Sequence, residues 1–319
     1  MSNNRQVKKA MILAGGFGTR FLPATLCLAK ELFPIGNKPI IMYHLEDLLK
    51  AGVTDILVVG NEIKRESIMQ FLQPSAEYLA RVGENHPNLN ELKYIFNNMN
   101  IQYIDQPLDL RGSAMAIATG IEWAGDDPFV VLNGDDLCFY EDGRSVVQDV
   151  IDTYTATGNN VVFGKKVPAV SAGKYSAMVV GDQVGAKSFN VQSIIEKPNE
   201  TDLEKVIAAS AGKQGLTNYE VIMSFAKYVL DRRFMEAIFT TPMRSNGEVN
   251  MTDTLAYLAT QGQVSTSIFD GIYFDCGSER GYASANMYAV DQAARAASMD
   301  SPVKAEASSR GNVKDLQNH

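Results

Sequence analysis

Short apolar segments alternate with segments of helical periodicity through the first half of the chain, and this alternation limits the fold more than any other feature. The apolar runs of strand length are residues 8–14, 55–60, 101–105 and 128–136. The segments with helical spacing of apolar residues are 39–51, 64–72 and 113–124. Such repetition is typical of βαβ units, so we expect an α/β fold with a central mixed, mostly parallel sheet flanked by helices.

The second half of the chain alternates less regularly. Strand-like segments follow one another with little helix between them, at residues 159–167, 176–180 and 191–198, which predicts a mixed or antiparallel region. Helices are predicted near 227–239, 252–260 and 279–294. The polar, Asn-rich residues 74–98 are predicted to lie outside the sheet. The apolar periodicity stops at about residue 295, which predicts a flexible tail over 295–319.

Composition excludes several classes of function. The 319 residues carry a formal net charge of -8, which argues against a general nucleic-acid binder but not against a pocket for a small anion. The three cysteines are far apart, and no apolar run approaches ~20 residues, so we expect a soluble, cytoplasmic protein without a membrane partner. None of the three histidines has a catalytic context. Any chemistry must therefore use carboxylates, lysines and backbone groups.

Three glycines, Gly15, Gly16 and Gly18, directly follow the first predicted strand. In open α/β folds that edge of the sheet binds ligands, and glycines let backbone N–H groups approach phosphate oxygens. Arg20 and Lys30 supply cations nearby. The segment fits neither the Rossmann fingerprint nor the Walker loop, and an ordinary tight turn with incidental charges stays an alternative.

Two carboxylates also end apolar strands, Asp135 in VVLNGDDLCF and Asp275 in IYFDCGSERGY. Mg²⁺ in proteins commonly takes one or two carboxylates together with phosphate oxygens and waters, which two converging aspartates would supply. Turn formation beside glycine is the structural alternative for each of them.

The segments AGGFGTRFLPAT (14–25) and AKELFPIGNKPII (29–41) resemble the signature of the sugar-nucleotide pyrophosphorylases. These enzymes transfer a nucleotidyl group from an NTP to a sugar 1-phosphate and release pyrophosphate. The resemblance spans about residues 8–290, and the order of its later motifs is most similar to the bacterial uridylyltransferases of the family. It implies a Rossmann-like nucleotidyltransferase fold, transfer from UTP to glucose 1-phosphate, and a Mg²⁺ cofactor held by Asp135 and Asp275.

The resemblance also implies roles for individual residues. Arg20, Lys30 and Lys197 become the catalytic cations, with Arg20 on the leaving pyrophosphate. The implied substrate-binding residues are Ala14, Gly15, Gly16, Gly18 and Thr19 around the NTP phosphates, Gln106 and Gly112 at the base, and Glu196 at the sugar. Two structural alternatives stay open. The segment around Gln106 is also typical of an ordinary loop and helix cap, and Glu196-Lys197 is also typical of a solvated strand edge.

Two segments depart from the family pattern on the sugar side: Tyr175-Ser176 stands where Tyr-Gly is common, and 218–230 lacks a glycine. Alternative functions are a thymidylyl- or cytidylyltransferase of the same fold, a glycosyltransferase, or a non-catalytic nucleotide-sugar-binding protein. We expect one nucleotidyltransferase domain over 8–294, with a nucleotide-binding part over about 8–140 and a sugar-binding part over about 141–294. We also expect a homodimer or homotetramer.

Overall fold

The computed structural model describes residues 6–83, 86–173, 175–210, 215–217 and 219–299, and the structural statements below refer to these residues. The predicted alternation is present in the first half. Its strands are β1 (Lys9–Leu13), β2 (Pro34–Ile35), β3 (Lys38–Pro39), β4 (Asp55–Gly60), β5 (Asn100–Asp105), β6 (Phe129–Asn133) and β7 (Asp136–Phe139). Its helices are α1 (Ile40–Lys50), α2 (Arg65–Leu72), α3 (Ala76–Val82), α4 (Asn90–Asn98), α5 (Ser113–Thr119) and α6 (Ile121–Ala124).

The second half contains the longer strands. They are β8 (Asn160–Pro168), β9 (Ser176–Gln183), β10 (Ser188–Glu196), β11 (Glu220–Leu230), β12 (Val264–Ile268) and β13 (Ile272–Asp275). The helices are α7 (Val146–Thr157), α8 (Ala169–Ala172), α9 (Glu200–Ser210), α10 (Arg232–Ile238), α11 (Met251–Thr260) and α12 (Glu279–Met299).

Nine strands form one central sheet, in the order β5-β4-β1-β6-β11-β8-β12-β10-β9, with a further pairing of β9 and β11. Strands β5, β4, β1 and β6 are parallel, as the βαβ pattern predicts. Strand β11 then runs antiparallel beside β6, so strands from both predicted parts of the domain share a single sheet.

The predicted mixed sheet is confirmed, but its described strands are not mostly parallel. Beyond β6, only β8 and β12 pair in parallel, whereas β11 and β10 make antiparallel pairs with each of their neighbours. A parallel pair needs a crossover of about a dozen residues or more, whereas an antiparallel pair needs only a tight turn. The short connection over 184–187 between β9 and β10 permits only the antiparallel arrangement.

The sheet separates two hydrophobic cores. Ala10 and Ile12 of β1 point into one core and Met11 into the other, and all three are completely buried. This alternation is the period of a strand with both faces covered. Strands of this kind read as continuous apolar runs, which is why β1, β4 and β6 were visible in the sequence.

The parallel strands end together at one edge of the sheet. Leu13 at the end of β1 lies beside Val59 of β4 and Asn133 of β6, and Gly60 lies beside Asp105 of β5. The loops that follow these four strands therefore leave the sheet side by side, where open α/β folds bind ligands.

Three segments differ from their predicted boundaries. Strand β11 continues to Leu230, where a helix was predicted from about 227, because Lys227–Leu230 pair with β6. The helix predicted over 113–124 breaks at Gly120 into α5 and α6. Helix α12 extends to Met299, so the predicted tail boundary at 295 falls within it, and residues 300–319 lie outside the described residues.

Residues 74–98 contribute the helices α3 and α4 and no strand within their described part, as predicted. No helix in the described part of the chain combines the length and hydropathy needed to cross a membrane.

Candidate active site

Two cavities lie side by side along the carboxyl edge of the parallel strands. The smaller has a volume of about 390 Å³ and the larger about 1120 Å³. Ser113, Asn133 and Asp135 line both cavities, so these residues mark their junction. We call the first the loop cavity and the second the strand cavity.

The loop cavity is lined by four of the predicted substrate-binding residues, Gly15, Gly16, Gln106 and Gly112. Gln106 continues from β5, and its backbone N–H donates to Gly60 at 2.9 Å. Its side-chain amide donates to the carbonyl groups of Leu110 at 2.5 Å and Gly112 at 3.3 Å. The carboxamide therefore spans the base of its own loop and lies against Gly15.

Position 112 requires a glycine for a structural reason besides its implied place at the nucleotide base. Its φ of 102° is in the region that favours glycine, and an added Cβ would lie 2.3 Å from the carbonyl oxygen of Val249. Val249 exchanges backbone hydrogen bonds with Arg111 and Ala114 on either side. Close approach of Val249, which precedes α11, thus explains this glycine, and Gly112 still forms part of the cavity wall.

The other predicted loop residues lie around this wall. Ala14 is completely buried, and its N–H donates to Val59 at 2.7 Å, so that group is not free to bind a phosphate. Gly18 has a φ of 67°, and the hydroxyl of Thr25 donates to its carbonyl at 3.0 Å. Thr19 is exposed and begins a short 3-10 turn, Thr19–Phe21.

Asn61 is a site residue that the sequence analysis missed. It follows β4 directly, lines the loop cavity and is 2% exposed. Its side-chain amide donates to the carbonyl of Gly15 at 2.7 Å and thereby fixes the glycine loop. The signal was its position directly after a strand at the ligand-binding edge of the sheet, a position that Gln106 shares.

Lys30 and Asp135 form an ion pair at the junction of the cavities. The Lys30 ammonium donates to a carboxylate oxygen of Asp135. Burial alone would lower the pKa of Lys30, but the carboxylates of Asp135 and Glu31 outweigh burial and raise that pKa. Burial alone would likewise raise the pKa of Asp135, but the Lys30 ammonium holds it below its ordinary value. Both groups are therefore charged.

The two predicted metal ligands converge, although they are far apart in sequence. Strands β7 and β13 form an antiparallel ribbon that pairs Asp136 with Asp275, and the N–H of Cys276 donates to the carbonyl of Asp135 at 2.9 Å. Both carboxylates face Gly277: a Cβ there would lie 2.3 Å from Oδ2 of Asp135 and 3.1 Å from Oδ1 of Asp275. The ribbon therefore brings the two carboxylates into the same small space.

Asp136 differs from its neighbour. Its two carboxylate oxygens accept hydrogen bonds from Asn133 at 2.8 Å and Tyr273 at 2.7 Å. Burial and the adjacent Asp135 carboxylate raise the pKa of Asp136 to about 7. These contacts are consistent with its omission from the predicted ligand set.

The strand cavity contains the remaining predicted residues, Arg20, Glu196, Lys197 and Asp275. The Arg20 guanidinium donates to the carbonyl of Gly277 at 3.2 Å, beside the two carboxylates. Glu196 ends β10, and Lys197 is the single described non-glycine residue with a positive φ, of 47°. Such a backbone conformation is strained, and it changes the direction of the chain at the end of β10.

Ser176 interacts directly with Glu196. Strand pairing places the two residues opposite each other, and the Ser176 hydroxyl donates to the Glu196 carboxylate. Tyr175 accepts the backbone N–H of Lys197 at 2.8 Å. The segment Tyr175-Ser176, where the sequence departs from the family pattern, therefore positions both predicted sugar-side residues.

The structure brings nine of the thirteen predicted residues into the two cavity walls, and Lys30 joins them through Asp135. Ala14, Gly18 and Thr19 belong to the same glycine-rich segment but line neither cavity. The missed lining residues include Ser113, Asn133 and Arg280 as well as Asn61. Ser113 accepts the backbone N–H of Met251 at 2.9 Å and so connects α5 to α11, a contact that no local sequence pattern encodes.

The arrangement suits two anionic ligands that meet. Glycine backbone and amides line the loop cavity, and both cations and carboxylates line the strand cavity. Lys30, Asp135 and Asp275 lie near the junction of the two. Among the described residues no three or more candidate ligands cluster for a metal ion. Two carboxylates alone still fit Mg²⁺, because this ion commonly takes its other ligands from phosphate and water.

The sequence profile described as nucleotidyl transferase matches residues 9–292. Among curated proteins, the UTP–glucose-1-phosphate uridylyltransferase of Pseudomonas aeruginosa is 30% identical over 286 residues, 89% of this chain and 96% of that protein. UTP–glucose-1-phosphate uridylyltransferase 2 of Staphylococcus saprophyticus is 31% identical over 279 residues, 87% of this chain and 90% of that protein.

Solved structures of UDP-glucose pyrophosphorylases have a similar fold. A UDP-glucose pyrophosphorylase complexed with UDP-glucose superposes with a TM-score of 0.76 at 26% identity, over 90% of this chain and all of that one. A UTP-bound enzyme from Acinetobacter baumannii superposes with a TM-score of 0.73 at 25% identity, over 89% of this chain and 93% of that one.

Proposed function

The chain belongs to the nucleotidyl transferase family, and we propose that it transfers a uridylyl group from UTP to glucose 1-phosphate, giving UDP-glucose and pyrophosphate. The observation that carries this proposal is the junction of the two cavities at Asp135, with the Lys30 ammonium bound to it. A transfer between two phosphorylated substrates needs such a meeting point. The named relatives act on these two substrates.

UTP occupies the loop cavity in this proposal. Gly15 and Gly16 expose backbone on its wall, which suits phosphate oxygens. The Gln106 carboxamide offers its oxygen as an acceptor to the edge of the uracil, while its N–H groups donate to the carbonyls of Leu110 and Gly112 and hold it in place. Because Asn61 fixes the loop through Gly15, these groups are positioned before the nucleotide arrives.

Glucose 1-phosphate occupies the strand cavity. The Glu196 carboxylate accepts hydrogen bonds from sugar hydroxyls, and Lys197 pairs with the sugar phosphate. The Ser176 hydroxyl holds Glu196 from the neighbouring strand. The larger volume of this cavity, about 1120 Å³, leaves room for the sugar.

Mg²⁺ fits Asp135 and Asp275, which would hold it between the two substrates. When bound, the ion supplies positive charge where phosphate groups meet. Arg280 lies in the wall of the same cavity and adds a further cation there.

The chemical step is a direct displacement. A phosphate oxygen of glucose 1-phosphate forms a bond to the α-phosphorus of UTP, the bond to the bridging oxygen breaks, and its electron pair leaves with pyrophosphate. The attacking group is already an anion, so no base has to remove a proton. The protein contributes position and charge. Lys30 and Lys197 lower the repulsion between the two anions, and Arg20, which follows the glycines and lies beside Gly277 near the junction, holds the leaving pyrophosphate.

Pyrophosphate release tests this proposal directly. We expect release from UTP with glucose 1-phosphate in the presence of Mg²⁺, and at least about tenfold lower kcat/KM with dTTP, CTP or other sugar 1-phosphates. Faster turnover with dTTP or CTP would make the protein a thymidylyl- or cytidylyltransferase. No release with any pair would contradict an enzymatic function.

The homodimer or homotetramer and the cytoplasmic location expected from the sequence are part of this proposal. Light scattering on the purified protein measures the first, and a fluorescent fusion the second. A monomer at micromolar concentration would contradict the predicted assembly.

A further inference from the structure

Glu31, the neighbour of Lys30, is a buried carboxylate that the reaction described above does not use. Its side chain is 0% exposed. One carboxylate oxygen, Oε2, lies 3.2 Å from Nζ of Lys64, and the other, Oε1, lies 3.7 Å from Nζ of Lys30. Within the described part of the chain, Oε1 has no hydrogen-bond partner. A buried carboxylate is costly unless it is paired, so this one depends on the two ammonium groups that face it.

Lys64 is buried on the far side of Glu31. Its side chain is 6% exposed, and it precedes α2. Its backbone N–H donates to the side-chain oxygen of Asn61 at 3.1 Å, while the Asn61 amide donates to Gly15. The same asparagine therefore fixes the glycine loop and the lysine that faces Glu31.

Lys30 thus lies between two carboxylates of different accessibility. Asp135 lines both cavities, where phosphates and cations can compete for it or for Lys30. Glu31 is beyond the reach of any ligand in the cleft. When substrates engage Asp135, Glu31 is the carboxylate that still attracts Lys30.

We propose that Glu31, supported by Lys64, is a positioning residue that holds the Lys30 ammonium at the junction of the two cavities while substrates are bound. This inference rests on the proposed function of the cleft. Lys64 balances Glu31, so that Lys30 is attracted by the buried carboxylate without being drawn fully away from the cleft.

Burial has opposite effects on the two buried partners. It raises the pKa of the Glu31 carboxyl, against the effect of the Lys30 and Lys64 ammonium groups. It lowers the pKa of Lys64, against the effect of the Glu31 carboxylate. Removing the charge of Glu31 or of Lys64 alone leaves the other charge buried without a partner. A single variant should therefore lose more stability than the variant that removes both charges.

The first experiment compares Glu31→Gln, Lys30→Ala and the double variant in steady-state assays with UTP and glucose 1-phosphate. We expect Glu31→Gln to lower kcat about tenfold or more, with both KM values within about threefold. Because Glu31 acts through Lys30, the double variant should be no slower than Lys30→Ala alone. The proposal would be overturned if the losses of kcat from Glu31→Gln and Lys30→Ala multiplied in the double variant. It would also be overturned if the kcat of Glu31→Gln were close to that of the wild-type protein.

The second experiment separates positioning from charge balance. Glu31→Gln combined with Lys64→Met removes both buried charges, so its melting temperature should recover toward the wild-type value while kcat stays about tenfold low. Recovery of kcat along with stability would reduce Glu31 to a structural role. Lys227→Met is the matched control: Lys227 is 2% exposed, lies 3.6 Å from Asp47, and lines neither substrate cavity.

We expect Lys227→Met to lower the melting temperature and to keep kcat within about threefold. A loss of kcat equal to that of Glu31→Gln would mean that any buried charge matters, and would contradict a specific role. The activity of the wild-type protein in the same assay separates a failure of the positioning role from a failure of the proposed function. An inactive wild-type protein refutes the proposed function, whereas an active one with unaffected Glu31→Gln refutes the positioning role alone.

Discussion

Asp135 has a cation on one side and a second carboxylate on the other. The Lys30 ammonium lowers its pKa, while Asp275 faces it across Gly277. The ammonium keeps the Asp135 carboxylate charged at neutral pH, and the two carboxylates that face Gly277 are the pair that would hold a divalent cation. The contribution of each aspartate can therefore be measured as a change in the magnesium dependence of activity.

Asp135→Asn and Asp275→Asn should each shift the magnesium titration of activity to higher concentration and lower the maximal rate, because an amide lacks the charge that a hard cation requires. Isothermal titration with Mg²⁺ and UTP gives a readout independent of turnover. Asp270→Asn is the control, since Asp270 is exposed and pairs with Lys187. An unchanged titration in both site variants would refute the two-aspartate site.

Glu196 and Ser176 allow the sugar side to be tested separately. A charge-assisted hydrogen bond contributes on the order of 1.5–3 kcal/mol, or roughly tenfold to a hundredfold in binding. Glu196→Ala should raise KM for glucose 1-phosphate by about that factor with little change for UTP. Ser176→Ala should produce a smaller rise in the same KM, because Glu196 then loses only its orientation.

Ser188→Ala is the control for the sugar-side variants, since this buried serine bonds to Thr153 at 3.0 Å instead. An effect of Glu196→Ala confined to UTP would assign that residue to the nucleotide.

At the scale of elements, the loop after β5 depends on its contact with the segment before α11. Gly112 has a φ of 102° and nearly touches the backbone of Val249. Gly112→Ala should lower the free energy of unfolding by at least about 2 kcal/mol, because backbone strain and steric overlap act together. It should also weaken UTP binding, since Gly112 lines the loop cavity.

Gly143→Ala provides the comparison for Gly112→Ala. Gly143 has a φ of 73° with nothing near an added Cβ, so about 1 kcal/mol is expected from strain alone. Denaturant unfolding of both variants measures the difference, and equal losses would show that the Val249 contact is unimportant.

Helix α1 contains a histidine that makes stability depend on pH. Burial and the Lys227 ammonium lower the pKa of His44 to about 3, so it stays neutral in the folded protein. The unfolded chain takes up a proton at this position near pH 6.5. Below that pH the unfolded state binds more protons, so stability falls as pH falls.

Between pH 8 and pH 5 the loss due to His44 should be about 2 kcal/mol. Urea unfolding at both pH values, for the wild-type protein and for His44→Gln, isolates this contribution, because other titrating groups are common to the two. The same pH dependence in His44→Gln would contradict it.

At the scale of the whole molecule, the sequence predicts what is local. Apolar strands with both faces covered are continuous runs, so β1, β4 and β6 and the residues at their ends could be predicted. The edge strand β5, which has no fully buried residue, was predicted from its place in the alternation of strands and helices. The antiparallel pairings of β11 could not, because its register depends on partners far away in the chain. The last residues of β11, Lys227–Leu230, were even assigned to a helix from the sequence.

The residues of the candidate site also fall into two groups, those that could be predicted from the sequence and those that could not. Gln106 and Asp135 follow strands and were predicted, and Asn61 could have been predicted by the same reasoning. Ser113 could not, because its role depends on a contact with α11. Glu31 could not either, because a charged residue beside Lys30 gives no sign in sequence that it is fully buried.

Direct transfer between two substrates that meet near Asp135 and Lys30 can be followed with UTP that carries ³²P at the α-phosphate. We expect the label to enter UDP-glucose one-for-one with pyrophosphate release and none to stay on the protein. We also expect Lys30→Ala to slow transfer severely while remaining folded. Label retained on the protein, no label in UDP-glucose, or near-normal transfer by Lys30→Ala would contradict this mechanism.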